Sequence, residues 1–165
     1  MAPDLNEAIV TERLLLTPLV AVDADEMVLV LADPALGRFT GDEPPTLDAL
    51  RARYAMLEGR RDPRGDDLWL NWVVRLGGAA IGYVQATVRG AEAWLAWLTA
   101  TSLQGRGYAS EASAAVGAWL RDELGISDLR AAIHDGHEAS KGVARKIGLH
   151  PTDGFIDGER VWRSG

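Results

Sequence analysis

Apolar positions along the chain change their spacing several times, and each change marks an element. After a polar lead-in of about ten residues, Arg13-Leu-Leu-Leu-Thr-Pro-Leu19 is a short apolar run closed by Pro18, which predicts an edge strand. Asp23 with Glu26 has the form of a capping box. Ala24, Met27, Val28 and Leu31 then repeat at helical spacing until Asp33-Pro34 stops them. Gly37 to Pro45 reads as loop. Thr46 is a candidate N-cap for a second helix with Leu47, Leu50, Tyr54 and Leu57 on one face, and Arg60 to Asp67 is a polar connection. The period then shortens. Leu68–Leu76 and Ala79–Val88 are strand-like runs joined by Gly77-Gly78, a pair that tolerates the positive φ of a two-residue hairpin. Arg89-Gly90 turns the chain into a third strand, Ala93–Thr99. A helix is expected over Tyr108–Leu124, ended by Gly125, and then a strand over Leu129–His134. A helix over Glu138–Ile147, stopped by Gly148, and a strand over Glu159–Arg163 complete the pattern.

The order β-α-α-β-β-β-α-β-α-β predicts a mixed central sheet with antiparallel middle strands, flanking helices and one parallel β-α-β crossover: an α/β (α+β mixed) fold. With no repeat, linker or low-complexity tract, residues 1–165 are expected to form a single domain. The chain has no cysteine, which excludes disulfide scaffolds, zinc ribbons and cysteine nucleophiles, and no metal site is expected. A net charge of −7 argues against a nucleic-acid partner. The start, MAPDLNEAIV, lacks the basic and apolar regions of a signal peptide, and no run approaches a membrane span, so the expectation is a cytoplasmic protein without a membrane partner.

The most informative stretch is Thr99-Ala-Thr-Ser-Leu-Gln-Gly-Arg-Gly-Tyr-Ala109, where glycines stand at the start of a helix. Unpaired N–H groups and partial positive charge gather there, and Gly105 and Gly107 carry no Cβ to keep a phosphate away. Three readings fit the local pattern: a tight strand-to-helix turn, a dinucleotide fingerprint, or a different phosphate cradle. The fingerprint fits poorly, because position 110 is Ser and polar residues separate the strand from the glycines.

Gln104-Gly-Arg-Gly-Tyr-Ala109 resembles the Q/R-x-x-G-x-G/A signature of the GNAT acetyltransferase superfamily. Thr11–Leu19 is similar to the opening strand of its RimJ/RimL-type branch, with Thr17 where Arg is usual. Gly78–Val84 resembles the family's central hairpin, His137–Leu149 its N-x-A-S…V-A-x-K-L-G-F segment, and Asp157–Trp162 its last strand. The resemblance spans nearly the whole chain in family order. It implies the GNAT acyl-CoA N-acyltransferase fold, acetyl-CoA as cofactor, and direct attack by an amine in a ternary complex with no acyl-enzyme. By this similarity, the strand ending at Thr99 splays from its parallel neighbour. Backbone groups of Leu98 and Thr99 would hold the pantetheine arm, with a bulge over Ala100–Leu103. Gln104, Gly105, Arg106, Gly107, Tyr108 and Ala109 would take the pyrophosphate.

His137 stands where relatives carry a cofactor-facing Asn, and Ala144 where many carry a thiolate-protonating Tyr. Ser140 is then the candidate proton relay and cofactor contact, and Glu43, beside Asp42 in the Pro-rich loop, the candidate base. Glu111 is expected to serve its helix. A Lys amine costs about 4–5 kcal/mol to deprotonate near pH 7, and an α-amine about 1 kcal/mol. A site without an obvious base therefore favours a protein or peptide N-terminus. Aminoglycosides or polyamines are the alternative acceptors, and a catalytically idle acyl-CoA binder is a third reading. A monomer or a homodimer fits equally.

Overall fold

The computed structural model describes residues 2–165. Eight strands form one sheet in the order β1-β2-β3-β4-β5-β6-β8-β7. They are β1 (Ile9–Val10), β2 (Leu15–Pro18), β3 (Leu68–Leu76), β4 (Ala79–Arg89), β5 (Glu92–Thr99), β6 (Asp128–Ile133), β7 (Leu149–Ile156) and β8 (Glu159–Ser164). Helices α1 (Ala24–Val30) and α2 (Leu47–Leu57) precede the central hairpin; α3 (Tyr108–Leu124) and α4 (Glu138–Lys146) flank β6. The expected mixed sheet is present, with β5 and β6 as its parallel pair.

Alternation along the strands gives each face a core. Leu70, Trp72, Val74, Val84 and Ala86 turn to α3, where Ala112, Val116, Trp119 and Leu120 complete a buried stripe. Trp72 meets Trp119 edge to face at 5.4 Å. On the opposite face Val73 packs with Met27 of α1 and with Leu50 and Tyr54 of α2. Among the described residues no helix is long and apolar enough to cross a membrane.

Three features depart from the sequence reading. The predicted edge strand is covered by β1, two residues of the lead-in that pair Ile9 with Leu16 and Val10 with Leu15. Asp23 does not cap α1. It lies buried at the end of a 3₁₀ turn over Ala21–Asp23, accepts from Val20 N–H at 2.9 Å and pairs with Arg75 at 3.0 Å. Arg75 also donates to Thr17 Oγ1 at 3.1 Å and to Glu26 Oε1 at 2.6 Å. The third departure is β7, an edge strand missed because His150, Pro151, Asp153 and Gly154 break any alternation and its register shifts between Pro151 and Phe155. Thr46 caps α2 as expected, accepting from Ala49 N–H at 3.2 Å.

Candidate active site

The sheet splits down its centre. β5 and β6 pair only at Glu92–Asp128, Ala93–Leu129 and Trp94–Arg130. Beyond them β5 stays on β4 as far as Thr99, while β6 stays on β8 as far as Ile133. The separation starts at Leu95, earlier than the expected Thr99. A charged cluster closes the paired end: Asp128 accepts from Arg130 at 3.1 and 2.8 Å and from Arg163 at 3.0 and 2.9 Å, and Arg130 also pairs with Glu92 at 3.0 Å. These guanidinium groups, that of Arg130 first, hold the Asp128 carboxyl down at about 2 against the opposing effect of burial.

Ladder alternation decides which backbone groups face the split. Ala100 N–H donates to Ile81 O at 2.7 Å, so Ala100 and, two residues back, Leu98 are hydrogen-bonded partners of β4. Leu98 therefore spends its backbone groups on Tyr83 and reaches the cleft only through its side chain. Trp97 and Thr99 present N–H and C=O to the gap. Thr99 O accepts from Gln104 Nε2 at 3.0 Å, tying the strand end to the glycine turn. The expected bulge over Ala100–Leu103 is a 3₁₀ turn over Thr101–Leu103, and the β4–β5 register is continuous.

The gap opens into a cleft of about 1060 Å³ bordered by Thr99, Gln104, Gly105, Gly107, Tyr108, Ala109, His137 and Ser140. Gly105 and Gly107 have φ of 78° and 84°, a left-handed conformation that favours glycine. The first intrahelical bond of α3 runs from Glu111 N–H to Gly107 O, so the N–H groups of Tyr108, Ala109 and Ser110 have no partner within the helix. These N–H groups at one end, and the backbone of Trp97 with the N–H of Thr99 along the gap, suit a long carrier with an anionic middle. Arg106, expected to touch phosphate, is exposed and does not border the cleft.

At the other wall, His137 caps α4, its Nδ1 accepting from Ser140 N–H at 3.4 Å, and its Nε2 lies 3.0 Å from Ser140 Oγ. Burial and the nearby His134 hold His137 below its ordinary pKa. A neutral ring that accepts at Nδ1 carries its proton at Nε2 and donates it to Ser140 Oγ, which frees the hydroxyl proton for the cleft. Ala144 lies fully buried in the core and borders no part of the cleft, so a ring at that position would collide with packing. Glu111 accepts from Thr11 and Arg13 outside the cleft.

Asp42 and Glu43 do reach the cleft, as exposed residues of the loop before α2. The sequence reading missed a third acid, Glu159, which borders the cleft half-buried at the start of β8. Burial pushes its carboxyl above the ordinary range against the opposing pull of His134, and the charges of Asp157 and Asp42 push the same way as burial. Its place after Asp157-Gly158 marked only a hairpin. Tyr54, Tyr83, Asn71 and Gln85 line the same half of the cleft, with Tyr54 pushed up to about 12 by burial.

A split parallel pair that ends on a glycine turn at a helix start defines a class of transferases that seat a phosphate-bearing carrier in the sheet. A profile of the GNAT acetyltransferase domain matches residues 13–150, and the chain belongs to this family of acetyl-CoA-dependent N-acetyltransferases. An acetyltransferase from Agrobacterium tumefaciens str. C58 superposes with a TM-score of 0.77 at 25% identity, covering 96% of this chain and 94% of that one. RimL, a ribosomal L7/L12 alpha-N-protein acetyltransferase in complex with coenzyme A, has a TM-score of 0.77 at 16% identity, covering 95% and 97%. The aminoglycoside acetyltransferase AAC(6')-Ib, in complex with coenzyme A, has a TM-score of 0.75 at 17% identity, covering 91% and 92%. A search of curated protein sequences finds no match.

Proposed function

We propose that residues 1–165 form one RimJ/RimL-like domain that moves acetyl from acetyl-CoA to the α-amine of a protein or peptide. The observation that carries this reading is the cleft itself, which runs unbroken from the turn at Gly105 and Gly107, past the open strand edge at Thr99, to Ser140 and Glu159. When bound, acetyl-CoA supplies a thioester carbonyl that an amine attacks directly. Gln104, Gly105, Gly107, Tyr108 and Ala109 hold its pyrophosphate, chiefly through backbone N–H groups, with the exposed Arg106 adding positive charge to the turn. Trp97 and Thr99 line the pantetheine arm with backbone, and Leu98 with its side chain.

Glu159 takes a proton from the incoming ammonium, with Glu43 at the rim as a second acceptor. A carboxyl raised by burial is better matched to an α-amine than an ordinary one. Ser140, turned by His137, hydrogen-bonds the departing sulfur with its hydroxyl and relays to it the proton that the attacking nitrogen gives up as the C–N bond forms and the C–S bond breaks. Three acids on the acceptor side also suit a polycationic small molecule, a reading in keeping with the likeness to the aminoglycoside enzyme.

Thiol release from acetyl-CoA, measured with N-terminal peptides, lysine side-chain peptides, polyamines and aminoglycosides, separates these readings. Transfer to the α-amine of a peptide at neutral pH is expected. Transfer only to polyamines or aminoglycosides assigns the small-molecule reading. Coenzyme A binding without transfer to any amine assigns an idle acyl-CoA binder.

A further inference from the structure

The strand entry at Arg13 and the glycine turn are 93 residues apart in sequence yet share a tight set of bonds. Arg13 Nη1 donates to Arg106 O at 3.1 Å, and the guanidinium lies over the Tyr108 ring, 4.5 Å from its centre. A Cβ on Gly107 would stand 3.4 Å from Arg13 Nη2, so the guanidinium rests against the bare face of that glycine. Glu111 fixes Arg13 in turn. Its Oε1 accepts from Arg13 Nε at 2.7 Å, and its Oε2 accepts from Arg13 N–H at 3.0 Å and from Thr11 Oγ1 at 2.6 Å. Neither Arg13 nor Glu111 borders the cleft. They grip the turn from behind.

We propose that Arg13, braced by Glu111 and Thr11, is a positioning residue that aims the phosphate-binding N–H groups of the 104–109 turn into the cleft. The inference rests on reading that turn as the pyrophosphate site. A trans peptide is planar, so its C=O and the following N–H point in opposite directions. Anchoring Arg106 C=O on Arg13, behind the turn, therefore directs Gly107 N–H to the cleft side. Both glycines are in the left-handed region with open space around Gly105, so the turn has little packing of its own to hold this orientation. A grip from another element supplies the order before the ligand arrives. A direct phosphate contact by Arg13 does not fit its place outside the cleft, with its charge already matched to Glu111.

Coenzyme A affinity and amide hydrogen exchange of the ligand-free protein test the assignment in Arg13→Gln, Arg13→Lys and Glu111→Gln. Arg13→Gln and Glu111→Gln are each expected to weaken coenzyme A binding about tenfold, the scale of losing hydrogen bonds to a charged group. Exchange in the 104–109 segment should quicken while α3 from Val116 onward keeps its protection. Arg13→Lys, which retains the pairing with Glu111 but not the planar fork, should fall between.

Glu111→Gln decides the sign. Removing a negative charge near a phosphate site would by itself tighten binding, so unchanged or stronger affinity overturns the proposal. Unchanged affinity in folded Arg13→Gln overturns it as well. If the wild type binds no coenzyme A, the reading of the site fails, and the exchange rates of the turn still decide whether Arg13 orders it. Should Arg13→Gln not fold, Arg13→Lys and Glu111→Gln carry the same test.

Discussion

Phe39 lies nearly parallel to His137, with ring centres 4.4 Å apart and planes 18° from coplanar. The phenyl ring comes from the loop between α1 and α2, the imidazole from the start of α4, so this contact joins two walls of the cleft. It also shields the imidazole that orients Ser140 Oγ. An aromatic pair of this kind contributes about 0.5–1.5 kcal/mol beyond its buried area.

Phe39→Ala should expose the His137 ring and let its depressed pKa climb toward 6.5, since burial is the first cause of the depression. Imidazole proton shifts followed by NMR against pH read this directly. An unmoved titration would mean that other neighbours shield the ring.

Glu159→Gln tests the proton acceptor. Because the native carboxyl is raised from 4.5, the acidic limb of kcat/KM should lie above the ordinary glutamate range, with activity lost as pH falls through it. The variant should lose that limb and about 10²-fold in kcat/KM at pH 7. It should also be slightly more stable at neutral pH. A carboxyl with a raised folded pKa disfavours folding when ionised, and the amide removes that penalty. Full activity in Glu159→Gln would move the role to Glu43 or to water.

Ser140→Ala should lower kcat and kcat/KM together by roughly tenfold and leave coenzyme A affinity nearly intact. Single-turnover transfer is the measurement, since slow product release would mask a chemical defect. A wild-type rate from pH 6 to 9 would reduce the hydroxyl to a cofactor contact.

Asp128 makes the paired end of the split acid-sensitive. The neighbouring guanidinium groups hold its carboxyl at about 2, below the ordinary aspartate value of 3.8, so the stability that it contributes is present above that ordinary value. It is lost as pH falls from about 4 toward 2. Denaturant midpoints recorded over that range should fall in the wild type and fall less steeply in Asp128→Asn, which starts from a lower value.

Much of this architecture is written in local patterns. The Gly77-Gly78 hairpin, the Thr46 cap and α3 between Gly107 and Gly125 each follow from residues a few positions apart. The glycine turn before α3 was legible for the same reason. What escaped depends on distant partners. Asp23 looks like a cap until Arg75, brought in by β3, buries it in an ion pair. Glu159 looks like a hairpin flank until folding sets it against the cleft. Ala144 shows why an aligned position is not a site: it stands on the face of α4 that packs into the core, fully buried. Leu98 and Trp97 differ only in ladder parity, which the sequence does not display.

The three-residue pairing of β5 with β6 gives the sheet a seam. Strands β1–β5 on one side and β6–β8 on the other each complete their own ladders, and few rungs cross between them. A ligand lodged in the split would supply cross-links that the backbone omits, bonding one half through Thr99 and abutting the other at Ala131–Ile133. Filling the cleft thus amounts to riveting the protein together. One core, running from Leu95 through Val116 of α3 to Leu129 and Trp162, already holds the halves together, and a carrier in the split would add bonds where the sheet itself makes none.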